Sequence, residues 1–293
     1  MSSEPAPLAV PGAVTVRRVE SLAEYRACVA IQREIWGADF GECVPASILL
    51  VAQKVGGVVA GAFDRGGAML GFVFGMAGVV DGRPAHWSDM LAVRPAARGA
   101  QIGERLKQCQ RELARAAGAE AMYWTFDPLV ARNAHLNLAR LGARVVEYVP
   151  DLYGADTGSP LHAGLPTDRL VVRWGLLAGN ANVPNDSVSD GGGPNDGAHA
   201  EDPLVTPVAA DASPAPAEPM PDAERVRLAV PDDFHALPPA LRAAWRAGSR
   251  AAFLAYLRRG YRVTGFRRAA AGAPPYYVLA RDGAAPASPA PAR

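Results

Sequence analysis

The chain has 293 residues, 49% of them hydrophobic, and a formal net charge of +1. That supports one large domain or two small ones with a real core, and excludes a global field drawing the protein to nucleic acid or an anionic membrane. Three widely spaced cysteines, Cys28, Cys43 and Cys109, form no CxxC pair and no disulfide framework, and read as small buried hydrophobes in a reducing cytoplasm.

Residues 1–13 are rich in Ala and Pro, lack a basic start and a continuous apolar run, and read as a disordered N-terminus without a signal peptide. Val14 to Val19 predicts a first strand. Ser21 with Glu24 three residues on predicts a capping box opening a helix to about Trp36. Pro45 to Lys54 predicts a second helix. The apolar region Val44 to Phe63 is interrupted by Gln53, Lys54 and glycines, so it is no membrane span. Gly57 to Phe63 and Ala68 to Gly75, separated by Asp64-Arg65-Gly66-Gly67, predict a hairpin. His86 to Val93 predicts the next strand, Gln101 to Ala117 a helix ended by Gly118, and Ala121 to Phe126 a buried strand. A helix over Asn133 to Leu141 and strands over Ala143 to Val149 and Leu170 to Trp174 follow. Residues 178–223, free of aromatics and rich in Ala, Pro, Gly, Asp, Asn and Ser, predict a disordered linker. Beyond it, a strand at Val226 to Val230, a helix at Leu241 to Arg259 and strands at Arg262 to Phe266 and Tyr276 to Leu279 make a small β-α-β-β unit over 224–280. That unit is too small to stand alone comfortably, so it is expected to dock on the first domain, 14–177. Residues 281–293 are a Pro/Ala tail, also expected to be disordered.

The most informative stretch is Met90 to Leu106, MLAVRPAARGAQIGERL: an apolar run, a proline, an Arg-Gly loop and the start of a helix. The first turn of a helix has backbone N–H groups without intrahelical partners, and these with the helix dipole make an anion site. Glycine lets a diphosphate approach the backbone, and Arg98 adds a cation. No Walker lysine follows, which excludes a P-loop.

At these residues the chain resembles the GNAT acyltransferases. Their CoA loop reads Arg/Gln-x-x-Gly-x-Gly/Ala, and here it is Arg98-Gly99-Ala100-Gln101-Ile102-Gly103, with Gln101 where the family usually has glycine. The predicted order β-α-α-β-β-β-α-β-α-β-β is also the GNAT order, over residues 14–175. The runs Trp124-Thr125-Phe126-Asp127-Pro128, Arg132-Asn133-Ala134-His135-Leu136-Asn137-Leu138 and Pro166-Thr167-Asp168-Arg169, with Arg259 to Val263, resemble a GNAT subgroup sharing WTFDP, RNAHxNL and PTDR. The fold class is therefore expected to be α/β, a mixed-sheet GNAT fold with a C-terminal β-α-β-β extension.

The resemblance implies that the backbone of Leu91, Ala92 and Val93 lines the pantetheine arm of CoA. It also implies that Arg98, Gly99, Ala100, Gln101, Ile102 and Gly103 hold the diphosphate. Asp89 is the candidate base for the attacking amine, and His86 a second candidate with a packed strand histidine as the alternative. The usual GNAT acid is a tyrosine whose position here is Leu138, so either Tyr148 or Tyr153 protonates the thiolate or no dedicated acid does; Tyr153 is the candidate taken forward. Asn133 either bonds the CoA or caps its helix. Arg132 and Arg169 can clamp a substrate carboxylate, with Asp127 and Asp168 either beside them in the substrate site or held in structural ion pairs with them. The expected activity is acyl-CoA-dependent N-acyl transfer, with acetyl-CoA as co-substrate and no metal. The expected acceptor is a small-molecule amine, an amino acid being one option, with neither nucleic acid nor membrane as partner. A CoA-binding regulatory module without catalysis and a protein N-acetyltransferase are the alternatives.

Overall fold

The structure, a computed structural model, describes residues 14–154, 156–162, 164–177, 201–209, 213–214, 220–268 and 273–281. By packing, these fall into two compact units. The first comprises the described residues of Met1–Tyr123, Thr157–Pro160 and Gly175–Gly179, and the second those of Trp124–Asp156, Leu161–Trp174 and Asn180–Arg293. The division falls within a strand, not at the expected boundary near 177.

The first unit begins with β1 (Thr15–Arg18) and α1 (Leu22–Trp36). The α1 start is the expected capping box: Ser21 accepts from the Glu24 N–H, and the Glu24 carboxylate accepts from the Ser21 N–H. Arg17 grips the same carboxylate and is the main reason its pKa falls to about 2. Next come α2 (Ala46–Lys54), β2 (Val58–Phe63), β3 (Met69–Val80) and β4 (Arg83–Val93). The chain continues through α3 (Ile102–Ala116) into β5 (Ala121–Phe126), which runs on into the second unit. Strand order is β1-β2-β3-β4-β5, antiparallel except for β4 with β5. Strands β3 and β4 are longer than their apolar runs suggest. Asp81 and Gly82 join them at φ +51° and +74°, the left-handed pair that a two-residue hairpin turn requires. Helices α1 and α2 cover one sheet face through Tyr25, Cys28, Ile31 and Leu49, which share a core with Val59, Phe72, Phe74, Met90 and Ala92.

The second unit holds the end of β5 and α4 (Ala131–Ala134), which runs on as a π-helix, His135–Arg140. It continues with β6 (Arg144–Val149), β7 (Arg169–Gly175), β8 (Leu204–Val205) and β9 (Arg225–Ala229), and ends with α5 (Pro239–Arg258), β10 (Tyr261–Arg267) and β11 (Tyr276–Arg281). Its strands run β5-β7-β6 and, in a second sheet, β10-β11-β9-β8. Helix α5 packs on β6, with Phe253 stacked 5.0 Å from Tyr148. The Tyr277 hydroxyl donates to the Pro128 carbonyl at 2.8 Å, fastening β11 to the turn after β5.

The expected linker is not without structure along its whole length. Leu204 and Val205 pair in parallel with Arg227 and Leu228, and the Arg227 guanidinium donates to the Asp202 carbonyl. Polar composition concealed a two-residue strand whose hydrogen bonds are made with β9. Arg281, assigned to the tail, ends β11. The N-terminus 1–13, residues 178–200 of the linker and tail residues 282–293 lie outside the described residues.

Candidate functional site

In the first unit the site is built on β4. Phe74 faces Met90 and Gly75 faces Ser88, so Asp89 is the extra residue of a β-bulge. A bulge shifts side-chain parity by one. Before it, His86 and Ser88 face α3, where Gln110 and Lys107 bond them. After it, Leu91 and Val93 face α3, the nearest atoms to Gly103, while Met90 and Ala92 turn into the core under α1. The bulge presents Asp89 as an exposed residue between buried Ser88 and Met90. Desolvation raises its carboxyl pKa, against a hydrogen bond with Trp87 that lowers it. Pairing of β4 with β5 runs from Ala85 to Trp87 opposite Ala121 to Tyr123, short of the bulge.

The second candidate for the base, His86, is a packed strand residue. His86 is 1% exposed, and burial with the nearby Lys107 charge pulls its pKa to about 4. A neutral His86 accepts at Nε2 from the Gln110 amide, 3.1 Å away. Beside it the Lys107 ammonium donates to Ser88 Oγ at 2.6 Å, and burial lowers its pKa to about 7.

The loop after β4 makes a 3-10 turn at Pro95–Ala97 and then exposes Arg98, Gly99, Ala100 and Gln101. Gly99 has φ +87° and Gln101, the N-cap of α3, has φ +55° with no side-chain cap bond. The Gln101 side chain thus gives no capping bond to the first turn of α3, which starts at Ile102. A Cβ at Gly103 would lie 3.8 Å from Leu91 and 4.0 Å from Val93, so the fold has room there. Gln101 occupies a backbone conformation that costs an L-residue about 1–2 kcal/mol, against about 0.5–1 kcal/mol for the extra freedom of an unfolded glycine. Gln101→Gly is therefore expected to raise stability by about 0.5–1 kcal/mol in urea denaturation. A loss of stability would show that the glutamine side chain makes up for its backbone.

The second unit gathers the WTFDP, RNAHxNL and PTDR runs. Trp124 donates to buried Asn137 Oδ1 at 3.0 Å, tying β5 to the π-helix. Asn133 is not the cap of α4: the N-cap is Val130, and Asp127 organises the turn by accepting from the Leu129 N–H at 2.9 Å. The same Asp127 carboxylate meets Arg246 of α5 directly and Arg169 at 3.8 Å. Its pKa is lowered: burial opposes this, and the two arginines outweigh it. Asp168 is completely buried and pairs with Arg250, not with Arg132 or Arg169, while accepting from the Tyr148 hydroxyl at 2.6 Å and the Asp151 N–H at 3.0 Å. The expected pair of Asp127 with Arg169 is present at 3.8 Å, while the expected partners of Asp168 are corrected to Arg250, and Asp127 gains Arg246; both new partners lie on α5, far along the chain. Leu138 is buried.

Arg169 is 8% exposed, with its guanidinium 5.3 Å over the Tyr153 ring and Nη2 3.1 Å from His162 Nε2. Arg132 is exposed at the start of α4. Of the two tyrosine candidates, Tyr148 is buried against Asp168 and its pKa is pushed far up, chiefly by desolvation. Tyr153 is 36% exposed, 3.1 Å from Thr125 Oγ, and anchored by its N–H to Thr167 Oγ at 2.8 Å. The residues sequence reasoning missed here are Arg246, Arg250 and His162. Among the described residues no His, Cys, Asp and Glu are grouped to hold a metal ion, and no helix is long and apolar enough to cross a membrane.

No family model matches the chain, and no curated protein matches its sequence. Among solved structures, three similar ones are acetyltransferases. The Salmonella typhimurium protein yncA, with acetyl-CoA, is 20% identical over 57% of this chain and 96% of its own, with a TM-score of 0.46. An N-acetyltransferase of Staphylococcus aureus Mu50 is 14% identical over 57% and 100%, with a TM-score of 0.45. The ribosomal-protein-S18-alanine N-acetyltransferase of Escherichia coli is 14% identical over 57% and 96%, with a TM-score of 0.44. The chain's own topology has the order β-α-α-β-β-β-α-β-α-β-β, a bulged β4 running parallel to β5, and a glycine loop opening α3. Residues 15–175 form a mixed α/β sheet in the element order that the GNAT resemblance implied, followed by β8 to β11 and α5.

Proposed function

We propose that the protein is an acyl-CoA-dependent N-acyltransferase using acetyl-CoA and a small-molecule amine. The observation that carries this is the run from the bulge at Asp89 to the glycine-bordered start of α3, which the Gln101 side chain does not cap. Backbone N–H groups of Arg98 to Gly103 receive the diphosphate, and the backbone of Leu91 to Val93 receives the pantetheine arm. Asp89 takes a proton from the ammonium, helped by its raised pKa. The free amine attacks the thioester carbon, and a β4 N–H near Leu91 stabilises the oxyanion. The C–S bond then breaks and the thiolate takes a proton from Tyr153; the amide nitrogen gives up its surplus proton through water to the Tyr153 phenolate, and Asp89 returns its own proton to solvent. Asn133 is assigned to CoA, since it does not cap its helix, and Arg132 and Arg169 to the acceptor.

The test is a calorimetric titration with acetyl-CoA. Gly103→Phe is expected to weaken binding at least about a hundredfold, the equivalent of one or two charged hydrogen bonds to the diphosphate. Gly99→Asp should weaken it too, by setting a like charge beside the phosphates. Parent-like affinity in a folded Gly103→Phe variant would remove the loop from CoA binding. Since Leu138 stands at the usual acid position, a parent that binds acetyl-CoA but turns over no amine would be a CoA-binding module instead.

A further inference from the structure

We propose that Arg169 and Arg246 form a binding site for a monocarboxylate, with His162 occupying the ligand's place until it arrives. That the carboxylate belongs to the acceptor amine rests on the acyltransferase reading; the site itself does not.

Arg246 and Arg169 are 4% and 8% exposed, and both converge on Asp127 Oδ2, Arg246 in direct contact and Arg169 at 3.8 Å. The other carboxylate, Asp168, is committed to Arg250 through Nε at 3.0 Å and through Nη2. Asp151 adds its charge to Arg250 as well, and Arg169 is the guanidinium of the three whose carboxylate contact is the longest, 3.8 Å. Its close partners are the Asp168 carbonyl at 3.0 Å, the Tyr153 ring and His162. Desolvation lowers the Arg169 pKa despite Asp127, the sign of an undercompensated buried cation.

Hydrogen bonding points the same way. Arg246 Nε and Nη1 are closed off from solvent and have no acceptor. His162 supplies Arg169 with a lone pair but no charge, because burial and the Arg169 charge hold its pKa near 4. A carboxylate in its place would supply both, in the planar two-oxygen form that guanidinium matches. Tyr153, 36% exposed, with Thr125 at its hydroxyl, gives the site a polar side open to solvent.

The test uses the full chain without acyl-CoA, titrated with sodium propionate or propionamide at constant ionic strength and followed by saturation-transfer NMR. Propionate should bind at least about tenfold more tightly than propionamide, the difference of a charged against a neutral acceptor. His162→Ala should tighten propionate roughly three- to tenfold, since the ligand no longer displaces an internal acceptor. Arg169→Gln should abolish propionate binding. Equal binding of acid and amide, no binding by either parent or His162→Ala, or no gain in His162→Ala would overturn the proposal. If Arg169→Gln does not fold, the His162→Ala titration decides alone. Propionate binding in a protein that fails to bind acetyl-CoA would leave this site standing and remove the acyltransferase reading.

Discussion

Asp168→Ala is expected to destabilise the protein by about 3–5 kcal/mol, the cost of breaking a buried ion pair by removing one partner. The carboxylate is completely buried and accepts from Tyr148, from the Asp151 N–H and twice from Arg250. Its removal leaves the Tyr148 hydroxyl without its acceptor beneath Phe253, and leaves Arg250, partly exposed, to find water. Asp151 sits at φ +50° and receives the Thr167 N–H on its own carboxylate, so the turn leading to Tyr153 loses a support as well. Urea denaturation followed by circular dichroism measures the loss. A substrate-binding Asp168 predicts another result, near-parent stability with a raised KM, and that result would overturn the structural assignment. Arg250→Met should cost less, because that guanidinium already meets solvent, but it strands the buried carboxylate.

Local features were legible in the sequence wherever a local cause produces them. The capping box of α1 needs only Ser21 and Glu24 in register, and β5 is bounded as its apolar run suggests. The order of elements follows from runs of apolar residues and the turns between them. Features set by pairing were not legible. The bulge at Asp89 exists only as a register difference between β3 and β4, which no single strand displays. The two-residue strand β8 owes its form to β9. The long β3-β4 arm had a visible signal, Asp81-Gly82, but its strand ends are exposed and polar enough to hide the continuation.

The candidate site divides along the same line. The glycine loop could be placed because its chemistry is carried by consecutive residues. The aspartates of WTFDP and PTDR could be singled out, and Arg169 as a partner of Asp127 with them, but their partners on α5 could not, because Arg246 lies 119 residues from Asp127 and Arg250 lies 82 from Asp168. Arg246 and Arg250 are four apart on α5 and so share a face. That spacing was the available signal, hidden in a helix with many arginines. Asn133 failed as a cap for a related reason. The α4 start is organised from outside the helix by Asp127, so the residue inside the first turn has no capping task.

Gly75→Ala is expected to cost about 2–4 kcal/mol, the range of an overpacked core with buried polar groups displaced. A Cβ there would lie 2.3 Å from His86 Nε2, 2.5 Å from the Trp87 carbonyl oxygen and 2.7 Å from Gln110 Nε2. The carbonyl belongs to the strand itself and cannot rotate away. The two side chains bond each other and are buried, so moving either leaves a polar atom without its partner. Gly75 is also the residue at which the β3 register shifts against the bulge, so the methyl group pushes on the backbone that presents Asp89. Gly78→Ala on the same strand is the control. Nothing lies within 4 Å of its Cβ position, and its cost should stay within about 0.5 kcal/mol. Comparing the two by urea denaturation isolates the close approach of β3 and β4 from any general cost of replacing glycine in a strand. Acetyl-CoA affinity should follow the same division, falling in Gly75→Ala at temperatures where it is still folded and holding in Gly78→Ala. Equal stabilities of the two variants would mean that the strands do not meet as closely at the bulge as the structure places them.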